Sequence, residues 1–170
     1  MKSMIRLALA ATLAALAAPA LAVQATSTFT VTATVNATCK VTGAGNIAFG
    51  VYDPTAAGNG ATGSSTVTFK CTKGTPWKVT LSTGANGASA VGTTRAMAAA
   101  GDFLNYDLYT DSGYANVWSS SNAATAPNVV TGNGAGGAGD SVTVFGAVPG
   151  GQYPTPSAGY TDTITITVNY

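Results

Sequence analysis

The chain has 170 residues, of which 46% are hydrophobic and 8% are charged, far fewer charged residues than the roughly 25% of ordinary soluble domains. It contains no His and no Glu, which excludes Ser-His-Asp and Cys-His catalysis and any acid/base pair built on glutamate. Its formal charge is +1 at pH 7, and its scattered lysines do not predict the clustered basic surface that a nucleic acid needs.

The first 22 residues have the pattern of a secretory signal peptide. Lys2 and Arg6 precede an uncharged run of Ala and Leu, and a small-residue sequence, Ala-Leu-Ala, ends at Ala22. Cleavage after Ala22 leaves five of the seven basic residues against six aspartates. Because the apolar run is short and no basic stop follows it, a cleaved leader is favoured over an N-terminal membrane anchor. No later segment has the composition of a membrane span, so we expect none once the leader is removed.

Residues 28–41 alternate between small or apolar side chains and mostly polar ones. If the segment is extended, one face carries Phe29, Val31, Ala33, Val35, Ala37, Cys39 and Val41. A straight strand of this length would reach about 43 Å, whereas a domain of this size has a radius of gyration of about 15 Å. The segment therefore either bends near Asn36 into two strands of one domain, or its first half pairs with a sheet elsewhere. The pattern alone leaves both open.

Beyond this segment, short apolar runs are separated by Gly, Pro, Asn and Ser, without helical periodicity. This pattern predicts an all-β sandwich or barrel. Strands are predicted near residues 47–52, 65–71, 77–81, 103–109, 142–148 and 162–170, with loops at 53–63, 82–101 and 112–140.

Cys39 and Cys71 are the two cysteines of a chain with an export signal, which predicts a disulfide. The loop-entropy model assigns such a bridge a stabilisation of about 3–4 kcal/mol. A metal site would need more ligands than two thiols, so we expect no metal and no cofactor.

Two sequence features could be taken for a catalytic aspartate pair and a phosphate-binding loop, but a structural role is favoured for each. Asp107 and Asp111 are close in sequence, but surface and turn positions are favoured over a catalytic dyad. The glycine-rich residues 132–139 lack the Lys-Ser/Thr ending of a phosphate-binding loop, which favours a flexible loop.

The aromatic side chains suggest a possible sugar platform. Its members would be Trp77, Trp118, Tyr109 and Tyr114. Core or sheet packing is the commoner fate of such residues, so a carbohydrate-binding module is an alternative and not the leading hypothesis.

Several motifs occur in a characteristic order along the chain. After the alternating strand and Cys39 come FGVYDP at 49–54, Cys71, RAM at 95–97, LNYDLYTD at 104–111, Trp118, and GYTD at 159–162 leading into ITITVNY. Together they resemble the spore coat protein U domain family, whose members include subunits of archaic chaperone-usher pili. The resemblance covers essentially the whole mature chain.

The resemblance implies an immunoglobulin-like β-sandwich that lacks its final strand and is completed by a donated N-terminal strand. Residues 1–22 would be the leader, 23–36 the donated extension and 37–170 the pilin domain. The candidate plugs of the donor strand are Phe29, Val31, Ala33 and Val35. The candidate contacts to a chaperone or acceptor groove are Ile164, Ile166, Val168 and Tyr170, and we expect the terminal carboxylate of Tyr170 to be held.

The resemblance also implies partners: copies of the chain in a head-to-tail fibre, a periplasmic chaperone that lends its own strand, and an outer-membrane usher. The resulting hypothesis is a non-enzymatic subunit of a cell-surface pilus that serves adhesion and biofilm formation. The alternatives are a secreted spore or cell coat protein that folds alone, and the carbohydrate-binding module.

Overall fold

The computed structural model describes residues 23–121, 123 and 126–170, so the predicted signal peptide lies outside the described residues. In these ranges, no helix combines the length and the apolar character that crossing a membrane requires. The chain divides into two units after Thr34. Within the first unit, residues 23–34 are exposed and form no strand.

The second unit, residues 35–170, consists of two antiparallel sheets. Its strands are β1 (Cys39–Ala44), β2 (Asn59–Cys71), β3 (Pro76–Leu81), β4 (Arg95–Ala99), β5 (Asp102–Tyr109), β6 (Val130–Asn133), β7 (Asp140–Pro149) and β8 (Ile166–Asn169), with 3-10 helices at Gly87–Ser89 and Gly136–Ala138. One sheet has the order β1-β2-β7-β5-β4 and the other β6-β3-β8. The predicted all-β, immunoglobulin-like fold is confirmed.

The core lies between the two sheets. Trp118 is fully buried, and its indole Nε1 donates a hydrogen bond to the carbonyl of Val79 at 3.0 Å. Phe69 packs edge-to-face on Trp77 with ring centroids 4.8 Å apart. Both tryptophans are therefore core residues, as expected from the commoner fate of aromatic side chains, and neither offers an exposed face to a sugar.

The predicted disulfide joins the first residue of β1 to the last residue of β2. Cys39 and Cys71 are direct partners in the antiparallel ladder, and their sulfurs are bonded at 2.00 Å. Edge strand β1 is therefore fixed covalently to the sheet where the chain enters the domain.

Two predicted strands differ from the structure. Residues 47–52 form no strand, although the half-buried Ile47 and Phe49 pack against the core as their alternation predicted. In the C-terminal segment only Ile166–Asn169 are strand. Periodicity reports which face a side chain occupies, whereas a strand also needs a neighbouring backbone to pair with.

Three segments predicted as loops contain strand residues. β2 begins at Asn59, inside the predicted loop 53–63. β4 has the sequence RAMAA, which contains no β-branched residue and so gives a weak strand signal. β6 contains Gly132, at which a Cβ would clash with the ring of Trp77. The glycine-rich stretch is also more ordered than predicted, because the Gly134 amide donates to the carbonyl of Thr75 at 2.8 Å.

Candidate functional site

A groove of about 460 Å³ opens between two segments that are far apart in sequence. Its walls are residues 44–49 and 160–166, and its floor is formed by apolar side chains of both sheets. Those floor side chains are Val67, Leu81, Met97, Leu108 and Val144. The groove therefore exposes part of the core between the sheets.

A second, larger cavity of about 870 Å³ continues the groove. Its walls are residues 47–54 and 153–158, and its floor includes Leu104 and Val148. The two cavities share Ile47 and Phe49 on one wall. They therefore form one cleft. We call its smaller part, near β8, the narrow end, and its larger part, near Tyr153, the wide end.

The first wall of the cleft leaves the sheet directly after β1. The Gly45 amide still donates to the carbonyl of Thr66 at 3.2 Å, and no strand follows in residues 45–51. Phe49 lies close over Gly146 of β7 and meets Tyr106 edge-to-face at 5.7 Å. A side chain at Gly146 would displace the Phe49 ring, so this glycine sets the position of the wall.

The opposite wall is held by Asp162. Its carboxylate accepts hydrogen bonds from the hydroxyl of Tyr106 and from the backbone amides of Ala85 and Thr163, each at 2.8 Å. Further along, Ser82 Oγ accepts the amide of Thr165 at 2.9 Å. These bonds fix an extended segment that leads into β8.

Tyr106 is a polar residue on the floor of the cleft, as is Ser65. Burial raises the pKa of Tyr106 well above its usual value, and the hydrogen bond to Asp162 adds to the shift. The folded protein therefore retains a phenol proton that the unfolded chain loses near about pH 10.

This difference predicts a loss of stability in alkali. The Tyr106 contribution is complete below about pH 10 and decreases as the pH rises further, with a slope of up to about 1.4 kcal/mol per pH unit. Urea unfolding midpoints between about pH 8 and about pH 11.5 should fall more steeply for the native chain than for Tyr106→Phe. Equal slopes would show that the phenol titrates normally in the folded state.

A buried charged group lies behind the cleft. The guanidinium of Arg95 is fully buried and donates to the carbonyls of Ser82 at 2.9 Å and of Leu81 and Trp118 at 3.2 Å. Its Nη1 lies 3.9 Å from Oδ1 of Asp107, and no described residue accepts a hydrogen bond from it. Burial lowers the pKa of Arg95, and nearby Tyr106 and acidic groups oppose that shift.

The surface position predicted for Asp107 is wrong. Its residue is 6% exposed, and its carboxylate accepts the amide of Thr94 at 2.8 Å. The chain before β4 folds over the outer side of β5 and covers this position. The turn predicted for Asp111 is confirmed, since its carboxylate accepts the amides of Gly113 and Asn116 at 3.0 and 2.9 Å.

The predicted C-terminal contact residues are distributed along the second wall and β8. Ile164 and Ile166 line the narrow end of the cleft, and Val168 is half-buried on the same side. Tyr170 is 61% exposed. Sequence periodicity therefore located one wall but missed the first wall, Tyr106 and Asp162 as parts of the same site.

The predicted plug residues lie outside every strand. Phe29, Val31 and Val35 are 88%, 81% and 79% exposed, and Ala33 is exposed as well. Along this segment the exposed apolar side chains alternate with polar ones.

The fold and the open cleft define an immunoglobulin-like sandwich with an uncovered edge between its sheets. A family model for the Spore Coat Protein U domain matches residues 25–167, and the chain belongs to this family.

One solved structure with a similar fold contains a chaperone and a pilus subunit. It is the crystal structure of the CsuC–CsuE chaperone–tip adhesion subunit pre-assembly complex from archaic chaperone-usher Csu pili of Acinetobacter baumannii. A chain in it is 23% identical, with a TM-score of 0.50, and the match covers 81% of the present chain and 40% of that chain. A likeness at this identity shows the fold alone. No curated protein gives a significant match.

Proposed function

We propose that the chain is a structural subunit of a cell-surface pilus and that its cleft accepts the N-terminal segment of another copy. One observation carries this proposal. An open apolar cleft whose two walls are not paired with each other occurs in the same chain as an exposed, alternating apolar segment. Each feature exposes apolar surface to water, which is unfavourable. An apolar segment that inserts into an apolar cleft would remove both surfaces from water.

The energetics support strand donation. Burying Phe29, Val31 and Val35 stabilises by about 1.5–3 kcal/mol each, before backbone hydrogen bonds and the cost of ordering the segment. Addition of a strand to the free edge of β8 also removes an edge that would otherwise promote aggregation. Because donor and cleft are different surfaces, such contacts are head-to-tail and extend into a filament.

The proposal includes a route of assembly. The leader pattern directs export, and membership of the spore coat protein U family is compatible with a chaperone-usher route. A periplasmic chaperone would cover the cleft by lending a strand until an outer-membrane usher replaces it with the extension of the next copy. Adhesion and biofilm formation would be properties of the assembled fibre, for which we expect neither catalysis nor a cofactor.

The electrophoretic behaviour of surface fibres tests the proposal. Material sheared from producing cells should give ladders that resist SDS and collapse to monomer only on strong heating, because each subunit is completed by its neighbour. Monomer throughout would contradict strand donation and favour a coat protein that folds alone. Elution from a glycan matrix by free sugar would favour the carbohydrate-binding module.

A further inference from the structure

The fixed part of the domain begins immediately after the last plug residue. Thr72 Oγ1 donates to the carbonyl of Asn36 at 3.2 Å and accepts the amide of Thr38 at 3.2 Å. The Thr72 amide in turn donates to the carbonyl of Thr38 at 2.9 Å. Asn36 directly follows Val35, so these hydrogen bonds hold the backbone of the domain immediately after the last plug residue.

The direction of the donated strand decides which end of the cleft faces that body. Two strands border the cleft, β1 at Ala44 and β8 at Ile166. The pairing of β1 is interrupted by a register shift between Val41 and Gly43, whereas β8 pairs with β3 in continuous antiparallel register, so we expect the donor to pair with β8. Antiparallel pairing is the more stable arrangement per residue. A donor antiparallel to β8 runs from the narrow end towards the wide end, and Val35 then leaves the cleft beside Tyr153.

The wide end of the cleft carries exposed apolar and acidic groups. Val51 and Tyr153 are 94% and 79% exposed at its rim. Asp53 is exposed, and its carboxylate accepts hydrogen bonds from the hydroxyl and the amide of Thr55 at 2.7 and 2.8 Å. The carboxylate of Asp102 accepts the amide of Thr155 at 2.9 Å. These bonds lower the pKa of both carboxyl groups, so both are ionised at neutral pH.

The end of the domain where the chain enters carries three lysines and one acidic residue, Asp140, which lies opposite Phe69. Lys40 and Lys70 are direct partners on β1 and β2, and Lys73 is exposed next to Thr72. Like charges facing each other across strands are unfavourable. An acidic partner surface would relieve this repulsion.

Resting on the proposed function, we infer that the lysine-bearing end of the donating copy docks on the wide end of the cleft of the accepting copy. The contact would bury Val51 and Tyr153 and place Lys73 opposite Asp53 and Asp102. It would be a second interface, continuous with the cleft, that fixes the angle between successive subunits.

Site-specific photo-crosslinking tests this contact in fibres of the full chain. A benzophenone amino acid replaces Tyr153, and fibres from mixed ¹⁴N- and ¹⁵N-labelled subunits are irradiated and digested. We expect peptides in which position 153 is joined to residues 36–38 or 70–73 of another copy. The same group at Tyr170, at the other end of the cleft, or at the exposed Val91 should not join to these residues.

Wild-type fibres offer a measurement that needs no substitution. A carbodiimide, which joins a lysine amine directly to a carboxylate, should link Lys73 to Asp53 or Asp102 between differently labelled copies. Absence of this link and of the link from position 153, in fibres that still resist SDS, would overturn the docking contact and leave strand donation intact.

Two other outcomes distinguish failure of the docking contact from failure of strand donation. A link from position 170 to residues 36–38 would show a donor parallel to β8 and would overturn the contact at Tyr153. Wild-type material that runs as monomer in SDS would overturn strand donation itself, and this contact with it.

Discussion

Val31→Asp is expected to abolish fibres while leaving the subunit folded and exported. Val31 is 81% exposed in its own chain, so a carboxylate there does not disturb the isolated subunit. In the cleft of a neighbour the same carboxylate would be buried without a partner, which costs several kcal/mol. Measuring the periplasmic chaperone complex and the surface fibre side by side checks this, with the complex near the wild-type level and the fibre lost.

The neighbouring residue provides a matched control. Thr30 lies on the polar side of the alternating segment, so Thr30→Asp adds the same charge without entering the cleft and should leave fibre yield close to wild type. Loss of both the chaperone complex and the fibre in Val31→Asp would contradict donation, because it would show that residues 29–35 complete their own domain.

Arg95→Met is expected to destabilise the folded subunit by about 3–5 kcal/mol, the usual effect of removing one partner from a buried charge pair. The substitution leaves the carboxylate of Asp107 buried without its cation and removes donors from the carbonyls of Leu81, Ser82 and Trp118. These carbonyls lie at the end of β3 and beside the core indole. Urea unfolding of the purified subunit measures the loss directly.

Two controls test whether the loss of stability comes from breaking a buried charge pair. Arg95→Met combined with Asp107→Leu removes both charges and should recover part of the stability. Lys73→Met removes an exposed cation and should change stability by less than about 0.5 kcal/mol. A single Arg95→Met variant within about 1 kcal/mol of wild type would show that the buried guanidinium is not the structural centre that its hydrogen bonds indicate.

Local alternation was sufficient to predict the all-β class and the positions of strands β3, β5 and β7. These strands are rich in apolar and β-branched or aromatic residues, and one face of each is buried along the strand. On the opposite faces, Thr80, Asp107 and Ala147 are buried as well, which the alternation did not predict. The cysteine pair and the export signal were likewise sufficient to predict the disulfide between Cys39 and Cys71. Such signals depend on neighbouring residues or on composition, which a sequence displays directly.

The cleft was decided by tertiary structure alone. Residues 44–49 and 160–166 are separated by more than a hundred positions. The alternating segment 47–52 has the pattern of a paired strand, but no strand pairs with it in the fold. The sequence pattern predicts a surface position for Asp107, but the chain before β4 covers it in the fold. Strand pairing, side-chain burial and the partners of charged groups depend on which distant segments are in contact. Those contacts are determined by packing of the whole domain rather than by local sequence pattern.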